Sequence, residues 1–156
     1  MSTRKTSRSR ARKAPTARGD NRPDALASAF DPKAMWRTLG AEQFRATDAN
    51  ALDDLLSRTA ILGRDDWRAA VDGDPAAAIR LVITFMPVRE ITPQIDRAMT
   101  ALLRLAVGGD AAAAAALSFV LRNLPGRFAL HRDISNSWLV RNALTAYGKS
   151  GRRPVA

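Results

Sequence analysis

Apolar side chains recur at intervals of three and four residues through the middle of the chain, from about residue 31 to residue 147. This spacing places them on one face of an α-helix, so that each segment carries an apolar stripe. No segment convincingly alternates apolar and polar residues with a period of two, the pattern of a half-buried β-strand. The β-branched stretch 82–85 also follows the helical spacing when it is read from the Asp74-Pro75 start. The pattern predicts an all-α fold, a small irregular bundle of about six helices.

Residues that begin and end helices subdivide this region. Aspartate and threonine can cap a first turn by accepting hydrogen bonds from its free N–H groups, and proline fits the first helical position. Glycine and proline mark helix ends because they favour or force departure from the helix. The predicted starts are Asp31-Pro32, Thr47 or Asp48, about Asp65, Asp74-Pro75, Thr92-Pro93, Asp110 and Asp133. The predicted ends are Gly40, Gly63, Val71, Pro87, Gly108-Gly109, Pro125-Gly126 and Tyr147.

Two of the predicted helices begin alike. Gly73-Asp74 and Gly109-Asp110 lie 36 residues apart, and each opens an alanine-rich helix that ends in proline and precedes a second capped helix. A period of this length is typical of helical-hairpin repeats. Two copies are fewer than a solenoid needs, so two helical-hairpin repeats stand beside the irregular bundle as a second interpretation of the fold.

The positive charge of the chain is concentrated at its two ends. Residues 1–23 hold eight basic residues and one acidic residue, a net charge of +7, and residues 148–156 hold three basic residues and no acidic one. Residues 24–147 hold 14 of each, so the net charge of +10 belongs to the ends. Within this neutral part, residues 24–75 carry −4 and could attract the N-terminal segment. Such attraction requires real docking, because salt screens exposed charges beyond about 8 Å.

The N-terminal segment lacks the side chains that a packed core requires. Apart from Met1 and two prolines, residues 1–23 contain no apolar side chain larger than alanine, and they are rich in Ser, Thr and Arg. Such a composition cannot offset the entropy lost on ordering, and it predicts disorder. We therefore expect three parts: a disordered basic tail at 1–23, a helical domain at 24–147 and a basic C-terminal tail at 148–156.

The sequence offers little for catalysis or for binding a cofactor or metal. It contains no cysteine, which excludes disulfides, thiolate zinc sites and a cysteine nucleophile. The adjacent carboxylates Asp53-Asp54 and Asp65-Asp66 cannot jointly chelate a cation from one helical face. The single histidine, His131, is near Asp133 and Ser135 in sequence, but neighbours on one helical turn rarely form a catalytic triad. We expect a protein that is not an enzyme, with no catalytic residue, cofactor or metal.

The last predicted helix carries two features of interest. Ser137, Val140, Leu144 and Tyr147 form one apolar arc on a helical wheel. Arg141 lies between this arc and Trp138, where its guanidinium could contact a phosphate or a partner. The simpler interpretation is that the arginine packs its stem beside the Trp138 ring.

No segment predicts insertion into a membrane or secretion. The longest apolar run, residues 111–117, is far shorter than the roughly 20 residues that a bilayer span requires. No apolar segment follows the N-terminal charges as it does in a secretory signal. We expect no membrane span and a cytoplasmic protein.

The basic ends give the strongest indication of function. Arginine and lysine neutralise phosphates and release counterions without reading bases, and no aromatic residues for base stacking are interleaved in the tail. The composition predicts a non-enzymatic helical protein that associates with nucleic acid, DNA or RNA, without sequence-specific readout by the tail. The residues expected to contact phosphates are Arg4, Lys5, Arg8, Arg10, Arg12, Lys13, Arg18, Arg22, Arg152 and Arg153.

A second function stays open on the sequence alone. The helical body could be the active part, an adaptor or regulatory module that binds a protein partner, with the tail as an accessory. The alanine run 111–116 has little bulk and permits close approach of another helix, which favours a tightly packed internal helix. The alternative is a close-packed interface through which the body forms homo-oligomers.

Overall fold

The computed structural model describes residues 31–61, 65–126 and 129–150, with the side chains of the last helix described up to residue 144. All regular structure in these ranges is helical, which confirms the predicted all-α class. The α-helices in these ranges are α1 (Met35–Thr38), α2 (Ala46–Ser57), α3 (Asp66–Val71), α4 (Pro75–Ile83), α5 (Pro93–Val107), α6 (Ala111–Arg122) and α7 (Ala129–Ser150). Two 3₁₀ turns, Pro32–Ala34 and Ala41–Gln43, flank α1.

Four predicted helix starts are confirmed by side-chain caps. Asp31, Asp74, Thr92 and Asp110 each stand at the N-cap, and their side-chain oxygens accept hydrogen bonds from backbone N–H groups of the first turn. The donor–acceptor distances are between 2.7 and 3.3 Å. Proline follows three of these caps, where its missing N–H costs nothing.

The predicted start of α2 at Thr47 or Asp48 is wrong. The helix begins at Ala46, and Asp48 occupies its third position. From there the Asp48 carboxylate accepts a hydrogen bond from the backbone N–H of Arg45 at 2.8 Å. The acidic residue therefore satisfies a free N–H from inside the first turn rather than from the cap, a difference of position that the residue type alone does not reveal.

The predicted start of α7 at Asp133 is also wrong, because the helix begins at Ala129 and Asp133 lies inside it. Ala129, Leu130 and Arg132 have high helix propensity, and no proline or glycine stands between Gly126 and Asp133 to end the extension. The helix also continues past its predicted end, through Gly148 to Ser150.

Helix α5 lies at the centre of the fold. It contacts α2, α3, α4, α6 and the segment containing the first 3₁₀ turn and α1. Six consecutive residues of α5, 98–103, are buried, so the helix is covered on nearly all sides at that level. Helix α7 packs chiefly on α6, in the most extensive helix pair of the described fold, and also touches α1 and the second 3₁₀ turn.

The segment before α2 joins α5 to α7 through specific side chains. The indole Nε1 of fully buried Trp36 donates to the Asp96 carboxylate of α5 at 2.9 Å, and the Arg37 guanidinium reaches the same carboxylate at 3.5 Å. On the other side, the Phe44 ring packs against the Trp138 ring of α7 with centroids 5.7 Å apart. These contacts hold the N-terminal part of the described fold against α5 and α7, two helices that come much later in the sequence.

The 36-residue spacing noted in the sequence corresponds to a repeated turn. Gly73 and Gly109 both have left-handed backbone conformations, with φ of 107° and 91°. In each turn the following aspartate N–H reaches back to a carbonyl in the last turn of the preceding helix, at 2.8 Å for Asp74 and 3.1 Å for Asp110. This is the bond that closes a helix ending in a left-handed glycine. The same aspartate then caps the next helix, so the two corners are built alike.

The correspondence extends to sequence and burial on either side of these turns. Of the 19 residues from Trp67 to Phe85, nine are identical to the residue 36 positions later: Arg68, Ala70, Val71, Gly73, Asp74, Ala76, Ala77, Ala78 and Leu81. Ala77 and Leu81 are buried, and so are their counterparts Ala113 and Leu117. Helix α3 thus corresponds to the second half of α5, and α4 corresponds to α6.

We expect Gly109→Ala and Gly73→Ala each to lower the free energy of unfolding by about 1–2 kcal/mol, because alanine disfavours the left-handed conformation. A Cβ at either position meets no atom within 4 Å, so the cost comes from the backbone alone. Urea unfolding measures it, and Gly109→Asn should cost less because asparagine tolerates this conformation. Unchanged stability of both alanine variants would contradict the repeated turn.

Candidate functional site

The ten basic residues predicted to contact phosphates, at positions 4–22 and at 152 and 153, all lie outside the described residues. The structure describes the helical body, its charges, its few chemically capable side chains and its exposed apolar surfaces.

Most acidic groups singled out in the sequence form ion pairs on the body. Asp53 pairs with Arg104 of α5, Asp54 with Arg58 on its own helix, and Asp66 with Arg80 at 2.7 Å. The Asp66 hydrogen bond raises the pKa of the Arg80 guanidinium above its ordinary value. No group of three or more potential metal ligands occurs among the described residues.

Arg141 is a structural arginine. Its guanidinium donates hydrogen bonds to the backbone carbonyls of Ala41 at 3.0 Å and Val107 at 2.8 Å, and it lies 5.6 Å from the centre of the Trp138 ring. Val107 is the last residue of α5, so the cation lies at the negative end of that helix dipole. The guanidinium is thus bound within the fold, by two backbone carbonyls and over the Trp138 ring.

The two serines nearest to His131 on its helix hold elements together. The Ser135 Oγ is fully buried, lies 2.7 Å from the Ser118 Oγ of α6 and accepts a hydrogen bond from the Arg122 guanidinium at 3.0 Å. The Ser137 Oγ accepts a hydrogen bond from the Ala41 N–H at 2.9 Å. Because these hydroxyls are engaged in contacts between elements, they join helices in the way that satisfied buried polar groups do.

His131 is half-buried on the first turns of α7. Burial, and to a smaller extent the positive charge of Arg37, lowers the pKa of the imidazole below its ordinary value. Both effects disfavour the charged form. The neutral ring is therefore the form that the folded protein stabilises.

Part of the apolar arc predicted on the last helix lies exposed. Val140 and Leu144 are 60% and 67% exposed, and they border an open groove of about 430 Å³ that runs between α7 and the second 3₁₀ turn. The groove is lined by Ala41, Glu42, Ser137, Val140, Arg141 and Leu144. The sequence identified the arc but gave no sign of whether another element covers it, and the turn that forms the opposite wall was not identified at all.

A wider uncovered surface on the same helix includes this arc. We call it the α7 outer face and define it by Asn136, Leu139, Val140, Ala143 and Leu144, all of which are exposed. Their spacing of three and four residues places them on one side of the helix. Three further large apolar side chains of the described residues are exposed: Ile83 of α4 and Phe119 of α6, each 60% exposed, and Leu130 of α7, 53% exposed. None of the helices in the described part of the chain is long and apolar enough to cross a membrane.

We expect Arg141→Ala to lower the free energy of unfolding by about 2 kcal/mol, because two carbonyls lose a charged donor. Arg141→Lys should recover only part of this loss, since an ammonium lacks the planar fork that reaches both carbonyls. Urea unfolding measures the effect. The matched control is Arg132→Ala, on an exposed position of the same helix, which should change stability by less than about 0.5 kcal/mol. Equal effects of the Arg141 and Arg132 variants would contradict the structural role.

We expect the protein to lose stability as the pH falls below the ordinary histidine pKa of about 6.5. The pKa of His131 is lowered in the folded protein, so just below pH 6.5 the unfolded chain binds more protons than the folded chain does. The free energy of unfolding therefore rises as the pH is raised through this range. Urea unfolding between pH 5.5 and 7.5, compared with His131→Gln, isolates the contribution, since this is the single histidine of the chain. The glutamine variant should show a flatter pH dependence, and identical slopes would contradict the shift.

Comparison of the chain with models of protein families, with curated proteins and with solved structures finds no match.

Proposed function

We propose that this protein associates with nucleic acid through its basic N-terminal segment, residues 1–23, and that it is not an enzyme. Residues 152 and 153 of the C-terminal segment assist. The helical body carries the segment and presents surfaces for a protein partner or another copy of the chain. The binding requires no cofactor and takes place in the cytoplasm.

The observation that carries the proposal is the separation of charge between the ends and the body. The described side chains comprise 12 basic and 13 acidic residues, a net charge of −1, whereas residues 1–23 carry +7. Half of those 12 basic side chains are held by intramolecular partners. Four pair with carboxylates, and two, Arg122 and Arg141, donate to uncharged acceptors. A polyanion would therefore find its attractive field at the ends and not on the body.

The chemistry of such an association is the exchange of counterions for cationic side chains. Each arginine or lysine that contacts a phosphate releases condensed cations from the nucleic acid, which favours binding most strongly at low salt. Phosphate contacts of this kind position the protein without reading bases. Sequence preference by the N-terminal segment is not expected.

A second candidate function is favoured by the exposed apolar surface. An adaptor or regulator that binds a protein through its helical body would need an uncovered apolar face, and the α7 outer face is one. In that case residues 1–23 are an accessory, and their removal leaves the interaction intact.

We expect the logarithm of the binding constant for a random duplex to fall with the logarithm of salt concentration at a slope of about −6, if about seven phosphates are engaged. Fluorescence anisotropy between about 50 and 200 mM salt measures the slope for DNA and for RNA. Deletion of residues 1–23 should abolish most of the binding.

A variant in which residues 2–23 are shuffled, with composition preserved, is the matched control and should bind like the wild type, because the segment acts by charge. Affinity that barely depends on salt would contradict the proposal, and so would full binding by the shortened chain. Weaker binding by the shuffled segment would instead show that the order of its residues matters.

A further inference from the structure

We draw no further inference here: the strongest candidate, the outer surface of α4 and α6, where Ile83 and Phe119 stand 36 residues apart at equivalent positions of the repeated register and are each 60% exposed, carries nothing because nothing among the described residues shows what covers it.

Discussion

The fold depends on the burial of α5 from nearly every side. Six consecutive residues of this helix, 98–103, are inaccessible, and a helix can be enclosed in this way only if several neighbours approach it closely. Small side chains make that possible: Ala98 and Ala101 on α5 and Ala113 and Ala114 on α6 are all buried. The alanine run of α6 is therefore only partly core, because Ala112 and Ala115 of the same run are exposed.

Polar contacts at the ends of α5 then determine where the flanking elements lie. Asp96, near its start, accepts the indole N–H of Trp36, and the Val107 carbonyl, at its end, accepts a hydrogen bond from Arg141 of α7. Each contact joins two residues that are far apart in the sequence but adjacent in the fold. They use charged groups for structure, a carboxylate near the start of the helix and a guanidinium at its end.

The proposed function follows from this division of labour. In this proposal the nearly neutral body contributes shape and apolar surface, whereas the basic ends contribute long-range attraction. The two roles are separable in principle, since the N-terminal segment can be removed without deleting any residue of the described core.

The sequence by itself determined the helical class, four of the helix caps and the repeated glycine–aspartate corners. These are local properties: a cap or a left-handed glycine is satisfied by residues within one turn, so the residue type predicts the structure. The starts of α2 and α7 were predicted wrongly because Asp48 and Asp133 have the right chemistry for a cap and only the surrounding backbone decides whether they occupy one.

Only the tertiary structure decided the roles of Asp96, Ser135 and Arg141, since their partners lie many residues away and no local pattern identifies them. The same holds for the α7 outer face. Its apolar arc was visible in the sequence, but exposure depends on which elements pack nearby, and α7 packs chiefly on α6 with its other side. Packing between distant segments is where the sequence pattern stops being informative, because the same apolar stripe suits a core and an interface equally well.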